Sequence, residues 1–163
     1  MNKGRLIVFS APSGCGKGTM LAEILKDNSF HCSVSTTTRQ PRTGEIDGVN
    51  YFFISKDEFE KKVSNDEFLE YAEYCENFYG TLKTEVDSYL DKGINVILEI
   101  EIQGALKIKE KFPDSVLIFV MPPSGPELKA RLVGRGTETM DVIEKRMSRA
   151  IEESQGIEHY DYI

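Results

Sequence analysis

The stretch Ala11-Pro-Ser-Gly14-Cys-Gly16-Lys17-Gly18-Thr19 decides the fold, because it joins a predicted strand at residues 5–9 to a predicted helix that begins at Lys17. Gly14 and Gly16 allow the backbone to curl around an anion, where a β-carbon would obstruct it. The N-terminus of the helix adds positive potential, and Lys17 can reach terminal phosphates. The stretch therefore predicts a phosphate-binding P-loop, and the alternative is a glycine-rich turn that only caps a helix.

Strands and helices alternate along the rest of the chain. Short apolar runs predict strands at residues 32–35, 51–54, 95–100 and 115–120, and residues 67–79 are also consistent with a strand. Apolar spacing and end signals predict helices at residues 55–63, 84–92, 105–111, 127–133 and 141–153. Residues 160–163 resemble the opening of another strand. This order indicates an α/β fold with a parallel sheet.

Size and charge exclude several classes of function. The 163 residues suffice for one compact domain, and 20 basic against 27 acidic side chains give a net charge of −7. Such an acidic chain is not expected to wrap nucleic acid or to lie on anionic lipid. The longest apolar run, residues 116–121, is too short to span a bilayer, and the apolar run near the N-terminus is too short for a signal peptide. Three cysteines without a CxxC pair favour a reducing, cytoplasmic location.

Six of the seven arginines lie in two clusters, although the chain is acidic. Arg39 and Arg42 flank a proline in a polar loop, and guanidinium groups are well suited to bidentate phosphate recognition. The second cluster lies on the last two predicted helices and comprises Arg131, Arg135, Arg146 and Arg149. Solvated ion pairs with nearby glutamates are the alternative for this second cluster. Together with the P-loop, the arginines suggest two phosphate-bearing ligands.

Motifs along the whole chain resemble those of guanylate kinases. They are the P-loop, Ser35-Thr-Thr-Thr-Arg39-Gln-Pro-Arg42-Thr-Gly-Glu45-Ile-Asp-Gly48-Val-Asn-Tyr51, Phe68-Leu-Glu70, Tyr79-Gly80-Thr81, Leu98-Glu-Ile-Glu101-Ile-Gln-Gly104 and Arg131-Leu-Val-Gly-Arg135. The resemblance implies transfer of the γ-phosphoryl group of ATP to GMP with Mg²⁺. It also implies a three-layer P-loop NTPase fold with a parallel sheet, a small GMP-binding lobe and a helical lid.

The resemblance assigns roles to particular residues. ATP is expected to contact Ala11, Pro12, Ser13, Gly14, Cys15, Gly16, Lys17, Gly18 and Thr19. GMP is expected to contact Ser35, Arg39, Arg42, Glu45, Tyr51, Glu70, Tyr79, Thr81 and Glu101, with Glu70 reading the guanine base. The expected catalytic residues are Lys17, Arg42, Arg131, Arg135 and Arg146. For Glu70, an exposed strand carboxylate is the alternative.

Three departures from the family pattern are visible. Gly18 stands where a serine or threonine usually binds magnesium, so Mg²⁺ is expected to be held by ATP phosphates and water, with Thr19 as the candidate for direct ligation. Glu101 replaces the usual aspartate. The chain stops at Ile163, where family members continue into a further strand and helix, and it is therefore expected to be truncated.

The resemblance also implies a division of the chain. Residues 1–34, 83–124 and 151–163 would form the P-loop core, residues 35–82 the GMP-binding lobe, and residues 125–150 the lid. The expected ligands are GMP and ATP, without nucleic-acid or membrane partners, and the protein would be a monomer or homodimer. A non-catalytic guanylate-kinase-like module that binds phosphopeptides is the main alternative. A kinase for another monophosphate or a sugar phosphate is the second.

Overall fold

The structure, a computed structural model, describes residues 3–12, 14–74, 76–134, 136 and 139–163. These residues contain eight strands, six α-helices and one 3-10 helix. The strands are β1 (Leu6–Ser10), β2 (Phe30–Cys32), β3 (Thr36–Thr37), β4 (Phe52–Phe53), β5 (Phe68–Tyr74), β6 (Asn77–Leu82), β7 (Asn95–Leu98) and β8 (Val116–Phe119). The helices are α1 (Lys17–Ile24), α2 (Lys56–Ser64), α3 (Lys83–Leu90), α4 (Ile102–Lys111), α5 (Gly125–Gly134) and α6 (Met140–Glu153), and the 3-10 helix is Ile157–His159.

The central sheet has four parallel strands in the order β2-β7-β1-β8. Its core strands are continuous apolar runs, as expected for strands that are covered on both faces. Val8 packs with α4 on one face, whereas Phe9 packs with α5 and α6 on the other. Because successive side chains point to opposite faces, two separate cores result. The predicted α/β fold with three layers and a parallel sheet is confirmed.

A second, smaller sheet is built entirely from residues between Thr36 and Leu82, in the order β4-β3-β6-β5. The stretch of residues 67–79, which the sequence left consistent with a strand, contains β5 and the first part of β6, and these two strands form an antiparallel hairpin. Glu76 turns the chain with a positive φ of 62°. Glycine or asparagine usually occupies such a position, so the hairpin carried no turn signal.

Local signals set several element boundaries. Helix α2 begins with a complete capping box, in which Ser55 and Glu58 each accept a hydrogen bond from the other's backbone N–H. The second strand, Phe30–Cys32, begins two residues and ends three residues earlier than expected. The Ser33 N–H still donates to the carbonyl of Ile97 in β7 at 2.9 Å. The next N–H, that of Val34, donates to the Glu85 carboxylate at 3.4 Å, and the Ser33 hydroxyl donates to the same carboxylate.

The last residues return to the central sheet. Tyr162 forms a parallel bridge with Ile118 of β8, and its carbonyl accepts a hydrogen bond from the N–H of Phe119 at 2.9 Å. The expected strand opening at residues 160–163 is therefore seen as this bridge. Among the described residues, no helix combines the length and apolar character needed to cross a membrane.

Candidate active site

The P-loop connects the end of β1 to the start of α1. Gly14 and Gly16 have φ values of 93° and 89°, which lie in the left-handed region where a side chain would be strained. Gly16 is the N-cap of α1 and, as a glycine, has no side chain that could cap this helix end. Its first N–H groups are therefore available to an anion. Ser13, expected to contact ATP, lies outside the described residues.

The outer side of the P-loop packs against α5. A β-carbon on Gly14 would lie 2.8 Å from Cδ2 of Leu132 and 3.2 Å from Cδ1 of Leu128. Cys15 is only 4% exposed and belongs to the same apolar cluster, and burial raises the pKa of its thiol. Cys15 is therefore held in the loop by apolar packing.

A cavity of about 400 Å³ lies over the P-loop. Its walls outside the loop are formed by Tyr74, Glu101 and Glu153. Lys17 extends from the loop and its Nζ lies 3.0 Å from Oε1 of Glu99. The sequence reasoning missed Glu99, although a carboxylate directly after a buried parallel strand lies where ligands of α/β sheets bind.

A second cavity of about 570 Å³, called the lobe cavity below, opens between the two sheets. Lys17, Tyr74 and Glu101 line both this cavity and the one over the P-loop. Of the residues expected to contact GMP, eight line the lobe cavity: Ser35, Arg39, Arg42, Glu45, Tyr51, Glu70, Tyr79 and Glu101. The ninth, Thr81, is buried behind Glu70.

Arg39 is held in place by Glu45. Its Nη1 and Nη2 donate to the two carboxylate oxygens at 3.0 and 2.9 Å, and the N–H of Arg42 donates to the same carboxylate at 2.7 Å. These bonds, that from Arg39 above all, lower the pKa of Glu45. The Arg39 guanidinium also lies 5.3 Å from the ring centre of Tyr51, whose edge meets Tyr79 at 6.0 Å between ring centres. The result is a fixed arginine fork beside two phenols.

Glu70 is a buried carboxylate at the far end of the lobe cavity. It is 5% exposed, and its Oε1 accepts a hydrogen bond from the Thr81 hydroxyl at 2.7 Å. Burial raises the pKa of Glu70. The alternative of an exposed strand carboxylate is therefore wrong. A buried acceptor facing a cavity can recognise a ligand that offers donors.

Glu101 stands where the two cavities meet. It is the N-cap of α4, but its side chain makes no capping hydrogen bond. Desolvation, followed by the charge of Glu153, raises the pKa of Glu101. Its carboxylate is therefore free to face either cavity.

The arginines of the second cluster are placed differently from one another. Arg131 donates from Nε to Glu127 at 3.0 Å, and its Nη1 lies 3.4 Å from the carbonyl oxygen of Cys15 in the P-loop. Arg146 lies on α6 and lines neither of the two cavities. Arg135 lies outside the described residues. Of the arginines in this cluster expected to be catalytic, Arg131 on α5 thus reaches the P-loop backbone, whereas Arg146 on α6 lies away from both cavities.

Arg149 joins α6 to the smaller sheet. Its Nη1 donates to the Tyr74 hydroxyl at 2.9 Å, and its guanidinium lies 5.3 Å from the centre of the Tyr74 ring. Tyr74 was not expected to be a site residue, and no motif could have identified it. Its role depends on a contact with a residue 75 positions away.

A P-loop beside a cavity that presents an arginine fork and a buried carboxylate defines a class of protein, the P-loop phosphotransferases that act on a second phosphate-bearing substrate. The guanylate kinase family model matches residues 3–163. The chain therefore belongs to the guanylate kinase family, and the resemblance seen in the sequence is confirmed.

Individual relatives are similar over nearly the whole chain. The chain is 59% identical over 163 residues to a guanylate kinase of Clostridioides difficile (strain 630), covering 99% of this chain and 80% of that protein. It is 54% identical over 162 residues to a guanylate kinase of Halalkalibacterium halodurans, covering 99% and 79%. The crystal structure of guanylate kinase from Anaplasma phagocytophilum superposes with a TM-score of 0.79 at 36% identity, covering 99% of this chain and 76% of that one.

Proposed function

We propose that this chain transfers the γ-phosphoryl group of ATP to GMP, giving ADP and GDP, where the two cavities meet. The observation that carries this proposal is the position of Lys17, which belongs to the P-loop and also lines the lobe cavity. A cation at the boundary can contact a phosphoryl group as it passes from one substrate to the other. Transfer requires positioning and neutralisation of charge rather than a covalent nucleophile.

We assign ATP to the cavity over the P-loop. The backbone of residues 11–19 would cradle its phosphates, because the positive φ angles of Gly14 and Gly16 curl the loop and α1 presents uncapped N–H groups. Lys17 would exchange its ion pair with Glu99 for the terminal phosphates. Of the nine residues in this assignment, Ser13 is supported by the motif alone.

We assign GMP to the lobe cavity. Arg39, Arg42, Tyr51 and Tyr79 would bind its phosphate, with Glu45 fixing the first arginine. Glu70 would accept from guanine N1–H and the exocyclic amino group, a donor pair that adenine lacks. Ser35, Thr81 and Glu101 would complete the contacts to the nucleoside.

The remaining catalytic assignments are arginines that would neutralise the transferring group. Arg42 would act from the lobe, and Arg131, Arg135 and Arg146 from the lid at residues 125–150. Arg131 already reaches the P-loop backbone, whereas Arg146 must approach by movement of α6. We therefore expect the lobe at residues 35–82 and the lid to close on the core of residues 1–34, 83–124 and 151–163, which also excludes water.

Magnesium is compatible with the oxygen donors around Lys17. Thr19 and Glu101 bring one hydroxyl and one carboxylate to the cavity over the P-loop, and the Glu99 carboxylate lies beside it in an ion pair with Lys17. In the described part of the chain no group of three or more His, Cys, Asp or Glu side chains could hold a metal ion by itself. Mg²⁺ usually combines few protein ligands with phosphates and water, so we expect ATP and water to hold it, with Thr19 as the candidate direct ligand. When bound, it supplies positive charge to the phosphates.

The setting of the enzyme is also a proposal. We expect it to act in the cytoplasm, in keeping with its three cysteines without a CxxC pair, as a monomer or homodimer. The net charge of −7 goes against nucleic-acid and membrane partners. A phosphopeptide-binding module would not need Lys17 in a formed P-loop cradle. The buried Glu70 together with the complete Arg39–Tyr51 stretch goes against another monophosphate or a sugar phosphate as the substrate.

A coupled assay of ADP release with ATP, GMP and Mg²⁺ tests the proposal. Wild-type protein should turn over only when GMP is present. Lys17→Ala should abolish turnover and leave GMP binding nearly intact, because most of the lobe cavity is unchanged. Lys26→Ala is the matched control, since Lys26 is exposed just beyond the other end of α1 and pairs with Glu23. Phosphopeptide binding without GMP-dependent turnover would contradict the proposal.

A further inference from the structure

Gly104 occupies the first turn of α4 and forms part of the wall of the lobe cavity. A β-carbon at this position would lie 2.8 Å from Oε2 of Glu70, 3.3 Å from its Cδ and 3.2 Å from Cδ1 of Ile100. The backbone of Gly104 is helical, without the positive φ that requires glycine elsewhere. Glycine is less favourable than alanine in a helix, so neither helix propensity nor backbone conformation explains why position 104 lacks a side chain.

Glu70 has no easy way to move aside. Its Oε1 is bonded to the Thr81 hydroxyl at 2.7 Å, and the residue is 5% exposed. The carboxylate is therefore held between Thr81 on one side and the α-carbon of Gly104 on the other. An added methyl group would contact the far end of the Glu70 side chain rather than a strand or helix backbone. The side chain would then have to rotate, while the fold could stay intact.

We propose that Gly104 is a positioning residue that sets the direction of the Glu70 carboxylate, and through it the selectivity for guanine. This inference rests on the proposed function of Glu70 as the acceptor for the base. Two acceptor oxygens must point at two neighbouring donors at once, and hydrogen bonds weaken steeply with misalignment. The absence of a side chain at position 104 is therefore part of base recognition, although glycine contributes no functional group of its own.

Gly104→Ala should raise the KM for GMP about tenfold or more, the effect of losing one hydrogen bond to a charged group. The KM for ATP should stay within about twofold, as for a change that leaves the other site untouched. Glu110→Ala is the control, because Glu110 is exposed on the same helix and lines neither cavity. This control should change neither KM.

A second variant separates positioning from a general loss of structure. Glu70→Asp withdraws the carboxylate by one methylene, about 1.5 Å, and makes room for the methyl group. Gly104→Ala should therefore cost less in the Glu70→Asp background than in the wild type. Thermal unfolding of all variants shows whether stability changes in parallel with the KM for GMP.

The outcomes distinguish this inference from the proposed function. Lack of GMP-dependent turnover by the wild type overturns the proposed function. An active wild type with an unchanged KM for GMP in Gly104→Ala overturns only the inference, as does an equal penalty in both backgrounds. If Gly104→Ala does not fold, recovery of folded protein in the double variant supports the inference, and failure to recover overturns it.

Discussion

Glu70→Gln removes the charge of the base-reading side chain and keeps its size. One oxygen remains an acceptor, which can still bind the Thr81 hydroxyl or a base donor. The other oxygen becomes an amide that donates, and it would face a donor on guanine. The variant therefore replaces two charged acceptor contacts by one neutral contact at most.

The magnitude follows from the energies of these bonds. A hydrogen bond to a charged group contributes about 1.5–3 kcal/mol and a neutral one about 1 kcal/mol. Losing two of the first kind and keeping one of the second costs about 2–5 kcal/mol, or roughly 30-fold to 4000-fold in kcat/KM for GMP. AMP offers no such donor pair, so its kcat/KM should not fall in proportion. The ratio of GMP to AMP should decrease.

The assay is steady-state ADP release with GMP and with AMP at saturating ATP. Glu110→Gln serves as the control, because Glu110 is exposed on α4 and loses the same charge. We expect this control to stay within about twofold of the wild type for both substrates. An unchanged ratio of GMP to AMP in Glu70→Gln would refute the base-reading role of Glu70.

Three further predictions concern stability and the arginine fork. Burial raises the folded-state pKa of Glu70 above its usual 4.5, so the contribution of Glu70 to stability is complete only below that pH and is lost as pH rises. In thermal unfolding without ligand, Glu70→Gln should therefore melt at a higher temperature than the wild type at pH 7.5, and this difference should vanish near pH 4. Glu45→Gln should raise the KM for GMP roughly twofold to tenfold more than the KM for ATP, because Arg39 loses its bidentate bond to a carboxylate. Equal changes in the two KM values would argue against a role of Glu45 in positioning Arg39. Ser55→Ala should cost about 1 kcal/mol in urea unfolding by removing the cap of α2, with kcat unaffected, and no loss of stability would contradict this.

Much of the fold could be predicted because local chemistry and tertiary structure agree. The apolar runs of β1, β7 and β8 and the capping box of α2 lie within one or two residues of their expected places. The hairpin of β5 and β6 could not be predicted, since Glu76 turns the chain in a conformation that its residue type does not favour. Strand β2 ends earlier than predicted, where the Val34 N–H and the Ser33 hydroxyl donate to the side chain of Glu85, far along the sequence.

The site was predictable where a chemical motif is local. The glycines and lysine of the P-loop indicate a phosphate-binding site by themselves, whereas a role for Glu70 could be assigned only through the family resemblance. Residues 68–70 are all buried, because a shift in strand register between Phe68 and Glu70 breaks the alternation of a regular strand. The contacts of Lys17 with Glu99 and of Tyr74 with Arg149 form between segments that are distant in sequence, so no local sequence pattern predicts them.

Product analysis of the wild-type chain with ATP, GMP and Mg²⁺ tests the central claim most directly. We predict that GDP and ADP form in equal amounts, that omission of GMP stops ADP formation, and that AMP replaces GMP poorly. ADP formation at the same rate without GMP, or the absence of GDP among the products, would contradict phosphoryl transfer to GMP at this site.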